Sequence, residues 1–538
     1  MSTLLTLLRH RARRDRVQVL IWLIAIGALV FFAATALEEN FGDESQRIAL
    51  LRLATANPAI LLLRGPPQGA DFDALFIFTI FAFLGLLAGL ISTFLAVRHS
   101  RADEETGRAE LIAATPISRL SPLSATVLWG VIVNLLLAIV VSGCCLAAGM
   151  DASGSWLTGF ALGAIGVSFL AVGLVSSELL LTSRAANGIA AGIVLLAYLA
   201  RGVGDAFGTV SGNGLVVESA WLSWLSPIGW GLATHPFSAN NAAPLLLNVG
   251  LAVVLTASAC ALHVTRDSGA SVFGAGVGRA NARRSLSGSL GLAWRLHWPA
   301  VIGWALGAAL LGAFGGALGT IAGESDAANP IAEQLRRLSA EGQSLNQAFL
   351  SVIFTVIGIL AAGCAVQAVI RARQEEAVTT AELVLATPVR RVRWLVDYLV
   401  VGGIAVGVVL AASALTAALS AAAVGADEDA AGDALASALA QLPAALLYLG
   451  LVALIFVLLP RLTAPLGWTL LTAGAFLGLF GRLVGLPEWA ENVSPFSHTP
   501  VALGSDPDWT GGFVMLGLAL LAGVAASALL ERRDIAAS

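Results

Sequence analysis

Twelve stretches of this chain contain no Asp, Glu, Lys or Arg, and most are long enough to form a membrane-crossing helix, which needs roughly 20 apolar residues. They are Val17–Leu37, Ala74–Val97, Leu120–Met150, Ala152–Ser177, Ala185–Ala200, Ala243–Thr265, Leu296–Gly323, Gly342–Ile370, Tyr398–Ala426, Ala434–Pro460, Leu462–Gly481 and Trp509–Leu530. A water-soluble core has no place for so many such stretches. In lipid each must satisfy its own backbone hydrogen bonds, which selects helices. The expected fold class is therefore an all-α polytopic membrane protein with twelve transmembrane helices. Composition agrees, with 57% hydrophobic and only 12% charged residues, against about 25% charged in soluble domains. That balance argues against a soluble enzyme, a disordered chain or a nucleic-acid-binding domain. The fifth stretch is short and stops at Arg201, and the sixth begins indistinctly within a Pro-, Asn- and Trp-rich region. The first has Arg residues before it and Ala34-Thr35-Ala36 within it, like a secretory leader, but it is longer than the about 7–15 residues of a leader's apolar core.

All 30 basic side chains are Arg. With the N-terminus inside, most of them fall in the arm before Val17, in 98–119, 266–295 and 371–393, and at the C-terminal end, all on one side. The positive-inside bias then places both termini in the cytoplasm. Without Lys there is no Walker A loop, which needs Lys on the phosphates, and no Schiff-base chemistry. Cys144, Cys145, Cys260 and Cys364 all sit in apolar runs, so neither a disulfide framework nor a zinc site is expected. Asp427-Glu428-Asp429 reads as a solvated turn, and no metal site and no catalytic residues are expected.

The segment HSRADEETGRAELIAATPISR at 99–119 aligns without gaps to RARQEEAVTTAELVLATPVRR at 371–391. Asn57-Pro58 recurs as Asn329-Pro330, and Ser226-Pro227 as Ser494-Pro495. Each half carries six spans, an even number, so the halves enter the membrane in the same sense and are related in parallel about the membrane normal. The boundaries read as 1–265 for the first half with an N-terminal interfacial helix, 266–298 for a Gly-, Ser- and Arg-rich cytoplasmic linker, and 299–538 for the second half. The interfacial reading rests on Leu4, Leu5, Leu7 and Leu8 preceding five Arg in the arm. Flanking positive charge alone is the alternative.

Within the repeated segment, Glu110, Leu111 and Ala114 share one helical face, as do Glu382, Leu383 and Ala386, and Pro116 and Pro388 end the pattern. A loop that only anchors topology has no need of the same Glu-Leu-x-x-Ala-Thr-Pro pattern in both halves. A docking surface for another protein explains it. These segments resemble the integral-membrane permeases of ABC-2-type exporters, and more narrowly the duplicated permeases of actinobacterial multidrug and polyketide-antibiotic exporters. The carrying residues are R-x-[DE]-E…A-E-L-x-x-A-T-P-[IV]-x-R at 101–119 and 373–391, with the six-plus-six layout. The resemblance implies coupling helices, carrying Arg101, Glu104, Glu110, Leu111, Arg373, Glu376, Glu382 and Leu383, seated on a separate P-loop ATPase homodimer. It implies that ATP and Mg2+ bind that partner and that this chain holds no cofactor. It also implies alternating access in a bacterial plasma membrane and a cavity around spans two and five of each half. Phe76, Thr79 and Phe83, with Phe349 and Phe354, would line that cavity for hydrophobic or amphipathic small molecules. Lipid-facing Phe is the alternative.

Glu178 lies deep in an apolar stretch, six residues before Arg184, and reads as an interface or helix-packing residue. Arg201 and Arg482, at the outer ends of the fifth and eleventh spans, read as snorkelling anchors or as an outer gate with acids such as Asp205. Buried titratable groups are expected to be nearly absent, which favours ATP-driven export by a partner motor over a proton-coupled twelve-helix secondary drug transporter. A membrane-embedded enzyme is a further rival without a supporting constellation.

Overall fold

The computed structural model describes residues 3–533 other than 57, 268, 274–285, 287, 325–343, 427–428, 481–486 and 505–506. Twelve helices in it are long and apolar enough to cross a membrane, and the chain divides into two compact units, Met1–Gly278 and Arg279–Ser538. Asn57, Asn329-Pro330, Asp427, Glu428, Arg482 and much of the expected linker lie outside the described residues.

In the first unit the helices are span 1 (Thr3–Phe41), span 2 (Phe72–Arg98), span 3 (Ser121–Ala147), span 4 (Ala152–Leu179), span 5 (Ser183–Ala206) and span 6 (Leu245–Thr265). They alternate in direction, so the start of span 1, the ends of spans 2, 4 and 6 and the starts of spans 3 and 5 meet at one end, the arm end. Span 4 is the central element and packs on spans 2, 3 and 6. Small residues make this possible. A Cβ on Gly159 would lie 2.3 Å from the Ala138 carbonyl oxygen, and one on Gly173 2.9 Å from that of Thr93. Apolar burial gives little net drive in lipid, so close backbone approach and polar contacts hold such helices together. The polar contacts are there too. Asn134 Nδ2 donates to Ser92 Oγ at 3.0 Å, and Ser168 Oγ donates to Asn248 Oδ1 at 2.8 Å, tying spans 2 to 3 and 4 to 6.

Instead of a separate interfacial helix, the arm runs without a break into span 1, one helix of 39 residues. No Gly or Pro occurs between Thr3 and Gly27 to interrupt it, and Leu and Arg favour helix. At about 1.5 Å per residue such a helix is nearly twice the thickness of the hydrocarbon layer. The opposite end of the unit carries short helices (Glu44–Ala56, Pro58–Arg64, Pro227–Leu232) and an antiparallel ribbon pairing Thr209–Val210 with Val217–Glu218. The Ser-Pro element is a helix start: Ser226 Oγ accepts from the Ile228 and Gly229 amides, with Pro227 in the first turn.

The second unit contains span 7 (Ser289–Glu324), span 8 (Leu345–Ala377), span 9 (Arg391–Ala423), span 10 (Ala430–Leu458), span 11 (Thr463–Phe480) and span 12 (Thr510–Arg532). Ser494 Oγ accepts from the Phe496 amide ahead of Pro495, repeating the Ser226 arrangement. The units differ after the second helix of each. Span 2 breaks at His99, where Ser100 Oγ donates back to the Ala96 carbonyl at 2.6 Å, a bond that bends helices. Span 8, with Ala372 at the aligned position, continues to Ala377.

Candidate functional site

Each repeated segment ends in a six-residue helix, Arg108–Ala113 in the first unit and Thr380–Leu385 in the second. We call these repeat helices 1 and 2. Both are entered through a left-handed residue, Gly107 at φ 71° and Thr379 at φ 63°, which occupy the same place in the alignment. Gly takes that conformation freely, whereas a β-branched residue rarely does. The turn re-aims the chain so that Glu110 and Leu111, and likewise Glu382 and Leu383, project outward. Leu111 and Leu383 are each 74% exposed.

The other four expected docking residues are not on that face. Arg101 and Glu376 are buried, and Glu104 and Arg373 are largely covered. All four build ion pairs beneath the repeat helices. Arg101 Nη1 meets Glu104 at 2.5 Å one turn on, and Arg101 Nε donates to the Leu181 carbonyl at 2.8 Å. Arg373 lies 3.3 Å from Glu376 with the same spacing. The physical reason is that these pairs fall on the inward side of the preceding helix, where only a paired charge is tolerated.

A second Arg completes each cluster. Arg266, the C-cap of span 6, donates through Nη1 to Glu104 Oε2 at 3.0 Å and through Nε to Glu178. Arg533, the C-cap of span 12, pairs with Glu376 and donates through Nη1 to the Phe456 carbonyl at 2.9 Å, its guanidinium lying over the Phe456 ring. Burial works against the Arg266 cation, but hydrogen bonds and charge from Glu104 and Glu178 outweigh it and raise its pKa above the ordinary arginine value. Glu178 also bonds His263 Nδ1 at 2.9 Å. It is therefore a partner for the end of span 6. Arg184 is not its partner; the chain turns at Leu180 before that residue.

The arm joins the same cluster. Arg14 Nη1 pairs with Asp103 at 2.7 Å, Arg11 Nη2 donates to the Pro122 carbonyl at 2.7 Å, and Asp15 is held by His99 and by Trp129 Nε1 at 3.0 Å. A cavity of about 170 Å³ opens between these groups and repeat helix 1, lined in part by Arg11, His99, Asp103, Ile112 and Arg266. The expectation that buried titratable groups are nearly absent is thus corrected: Asp15, His99, Glu178, Arg201, Asp205, Glu376 and Asp397 are all buried. They sit near span ends, where, Glu178 apart, the sequence suggests solvated charge, and tertiary contacts cover them.

The aromatic residues separate by environment. Phe76 and Phe354 have no exposed surface and belong to the hydrophobic cores of their own units, so neither lines open space in this conformation. Thr79 donates to the Leu75 carbonyl at 2.8 Å, and Phe349 is half-buried. Phe83 is exposed, with Tyr198 beside it at 6.1 Å between ring centroids.

At the opposite end, Arg201 does not snorkel. It is 0% exposed and pairs with Asp205, also 0% exposed, at 2.9 Å. Its Nη2 donates to the Leu62 carbonyl at 2.9 Å, its guanidinium lies over Tyr198, and Ser219 Oγ donates to Asp205 Oδ1 at 2.6 Å. Asp205, the acid named beside Arg201 from the sequence, lies one turn on in the same helix. Among the described residues no group of three or more His, Cys, Asp or Glu is placed to hold a metal ion.

Two findings relate the chain to known proteins. The family described as multidrug efflux system permease Rv1217c, C-terminal domain, matches residues 10–263 and 286–530. The multidrug efflux system permease protein Rv1217c of Mycobacterium tuberculosis is 34% identical over 512 residues, covering 93% of this chain and 90% of the relative. The chain therefore belongs to the Rv1217c multidrug efflux permease family, as an ABC-2-type transmembrane subunit.

Proposed function

We propose that the chain is the translocation subunit of an ATP-driven exporter that moves hydrophobic or amphipathic small molecules out of the cell. In this reading the halves are a duplication related in parallel about the membrane normal, which is supported by the aligned repeats. Both termini and both repeat helices face the cytoplasm of a bacterial plasma membrane. A separate P-loop ATPase, a homodimer carrying the ATP and Mg2+, seats on the repeat helices, and the chain itself performs no covalent chemistry. Alternating access then follows when the motor moves the two seats. The multidrug efflux in the relative's name supports the drug-like cargo.

The observation that carries the reading is the matched exposure of Leu111 and Leu383, each beside an exposed Glu, on short helices that ion pairs brace from beneath. An apolar side chain with a charge beside it suits a protein interface, whose core is apolar and whose rim is polar. Reversing charge at Glu110 and Glu382 together is expected to lower recovery of the P-loop subunit with the tagged chain at least about tenfold, the effect of roughly 1.4 kcal/mol in association. Unchanged recovery refutes the docking role.

The proton-coupled reading draws on one observation, the buried His99–Asp15 pair and the contact of half-buried His263 with buried Glu178. These acids lie at span ends and, apart from their His partners, face Arg98 and Arg266. A proton relay places its carboxylates along the pathway. Collapse of transport by an ionophore with ATP intact would favour that reading.

A further inference from the structure

Arg266 and Arg533 occupy equivalent places by three independent criteria. Each is the residue at which the sixth long helix of its unit ends. Each pairs with the acid of the Arg-x-x-Glu in the repeated segment, Glu104 in one unit and Glu376 in the other. Each also reaches the end of its unit's fourth span, by different chemistry: Arg266 bonds the Glu178 carboxylate, whereas Arg533 bonds the Phe456 carbonyl and stacks on that ring. A backbone carbonyl is available at any helix end, so the second unit needs no counterpart of Glu178.

We propose that Arg266 and Arg533 are positioning residues that carry movement of the repeat helices into the spans. The guanidinium fork is suited to this, because it bridges two acceptors at once in fixed geometry, which an ammonium on a flexible stem does not do. The result is a three-way clasp, in which the base of the repeat helix, the end of the fourth span and the end of the sixth move as one body. Glu104 and Arg266 are both largely buried, as are Glu376 and Arg533, so each pair is shielded from screening by salt. The two clasps are unequal. The first joins two carboxylates through one Arg and adds His263, whereas the second uses one carboxylate and a carbonyl, so the first depends more on charge.

The proposal rests on the reading that an ATPase seats on the repeat helices, and its test separates the two. In the full chain with its P-loop subunit in lipid nanodiscs, and with the native Cys replaced, nitroxide labels are placed just past the repeat helices and off the docking residues, at Thr115→Cys with Val264→Cys, or at Thr387→Cys with Leu529→Cys. Distances are measured without nucleotide and after trapping with ATP and vanadate. With both clasps intact, the distance within each pair is expected to change by less than about 2 Å between states, the scale of a packed-helix shift. Arg266→Ala is expected to let the first pair separate by about 5 Å or more on trapping, one helical turn, and Arg533→Ala to do so in the second. Arg533→Lys keeps the charge and loses the fork, and is expected to let the second pair separate as Arg533→Ala does. A role confined to folding predicts no nucleotide dependence, and a role of charge alone predicts rescue by Lys. If Arg266→Ala does not accumulate, Arg266→Lys carries the test, because it keeps the charge and loses the fork. Unchanged distances in these variants, or a large change in the intact protein, overturn the clasp alone. Failure of any hydrolysing complex to form removes the ATPase reading and the clasp's role with it.

Discussion

Replacing Asp205 by Ala leaves Arg201 as a fully buried cation without its counter-charge. Both side chains are 0% exposed, and Arg201 Nε already lacks a partner. An arginine does not shed its proton in a protein, so the Leu62 and Leu63 carbonyls and the Tyr198 ring would have to hold the charge by themselves. Removing one member of a buried pair costs about 3–5 kcal/mol, which corresponds to roughly 10 °C in melting temperature for a unit of this size. The reciprocal change, Arg201→Met, is expected to cost less. The Asp205 carboxyl would keep its bond from Ser219 and can neutralise itself by taking up a proton. The double variant Arg201→Met with Asp205→Leu removes both charges and is expected to melt nearer the parent than Asp205→Ala does. The assay is thermal unfolding of the purified chain in detergent, followed by loss of monodispersity. Melting of Asp205→Ala within about 2 °C of the parent, or a double variant worse than the single one, refutes the reasoning.

Two further expectations concern backbone geometry and helix approach. Thr379 at φ 63° carries strain that Gly107 at the aligned position avoids. Thr379→Gly should therefore stabilise by about 0.5–1 kcal/mol, after about 1–2 kcal/mol of strain relief is offset by the entropy of Gly in the unfolded chain, and Gly107→Thr should destabilise. Urea midpoints of the pair read both effects, and a stability loss in Thr379→Gly contradicts the account. Gly159→Ala would press its methyl group onto the Ala138 carbonyl at 2.3 Å and force spans 3 and 4 apart, at about 1–3 kcal/mol. Gly188→Ala meets nothing within 4 Å and should be neutral or slightly stabilising. Equal melting temperatures for these two variants would refute the packing argument.

Hydropathy made all twelve spans readable, because lipid demands an uninterrupted apolar helix and leaves that demand in the sequence. Boundaries were readable where charge ends a run and unreadable where a helix continues through a neutralised pair. The fifth span was expected to stop at Ala200, yet its helix runs on to Ala206, because Arg201 and Asp205, one turn apart, satisfy each other inside it. The exposed half of the repeated segment was equally legible, since Glu110, Leu111, Glu382 and Leu383 recur at helical spacing. Its buried half was not. Arg101 and Glu104 look like any solvated pair until span 6 brings Arg266 across them, and Arg266 and Arg533 look like positive-inside flanking charge. Long-range pairing of this kind leaves no local pattern. The one available signal was that an Arg follows the last span of each half directly or within a few residues. The surroundings of Phe76 and Phe354, both buried in their own units, were illegible for a related reason, because helical spacing identifies a face without saying whether lipid, core or cavity meets it.

In the proposed function, force enters this chain from a nucleotide-hydrolysing partner seated on repeat helices 1 and 2. The most direct measurement is uphill movement of a lipophilic dye in vesicles reconstituted with the chain alone and with the chain plus its P-loop subunit, each with ATP and each with an imposed proton gradient. Accumulation is expected only with both proteins and ATP, unaffected by an ionophore. Accumulation driven by the proton gradient in vesicles holding the chain alone would contradict it.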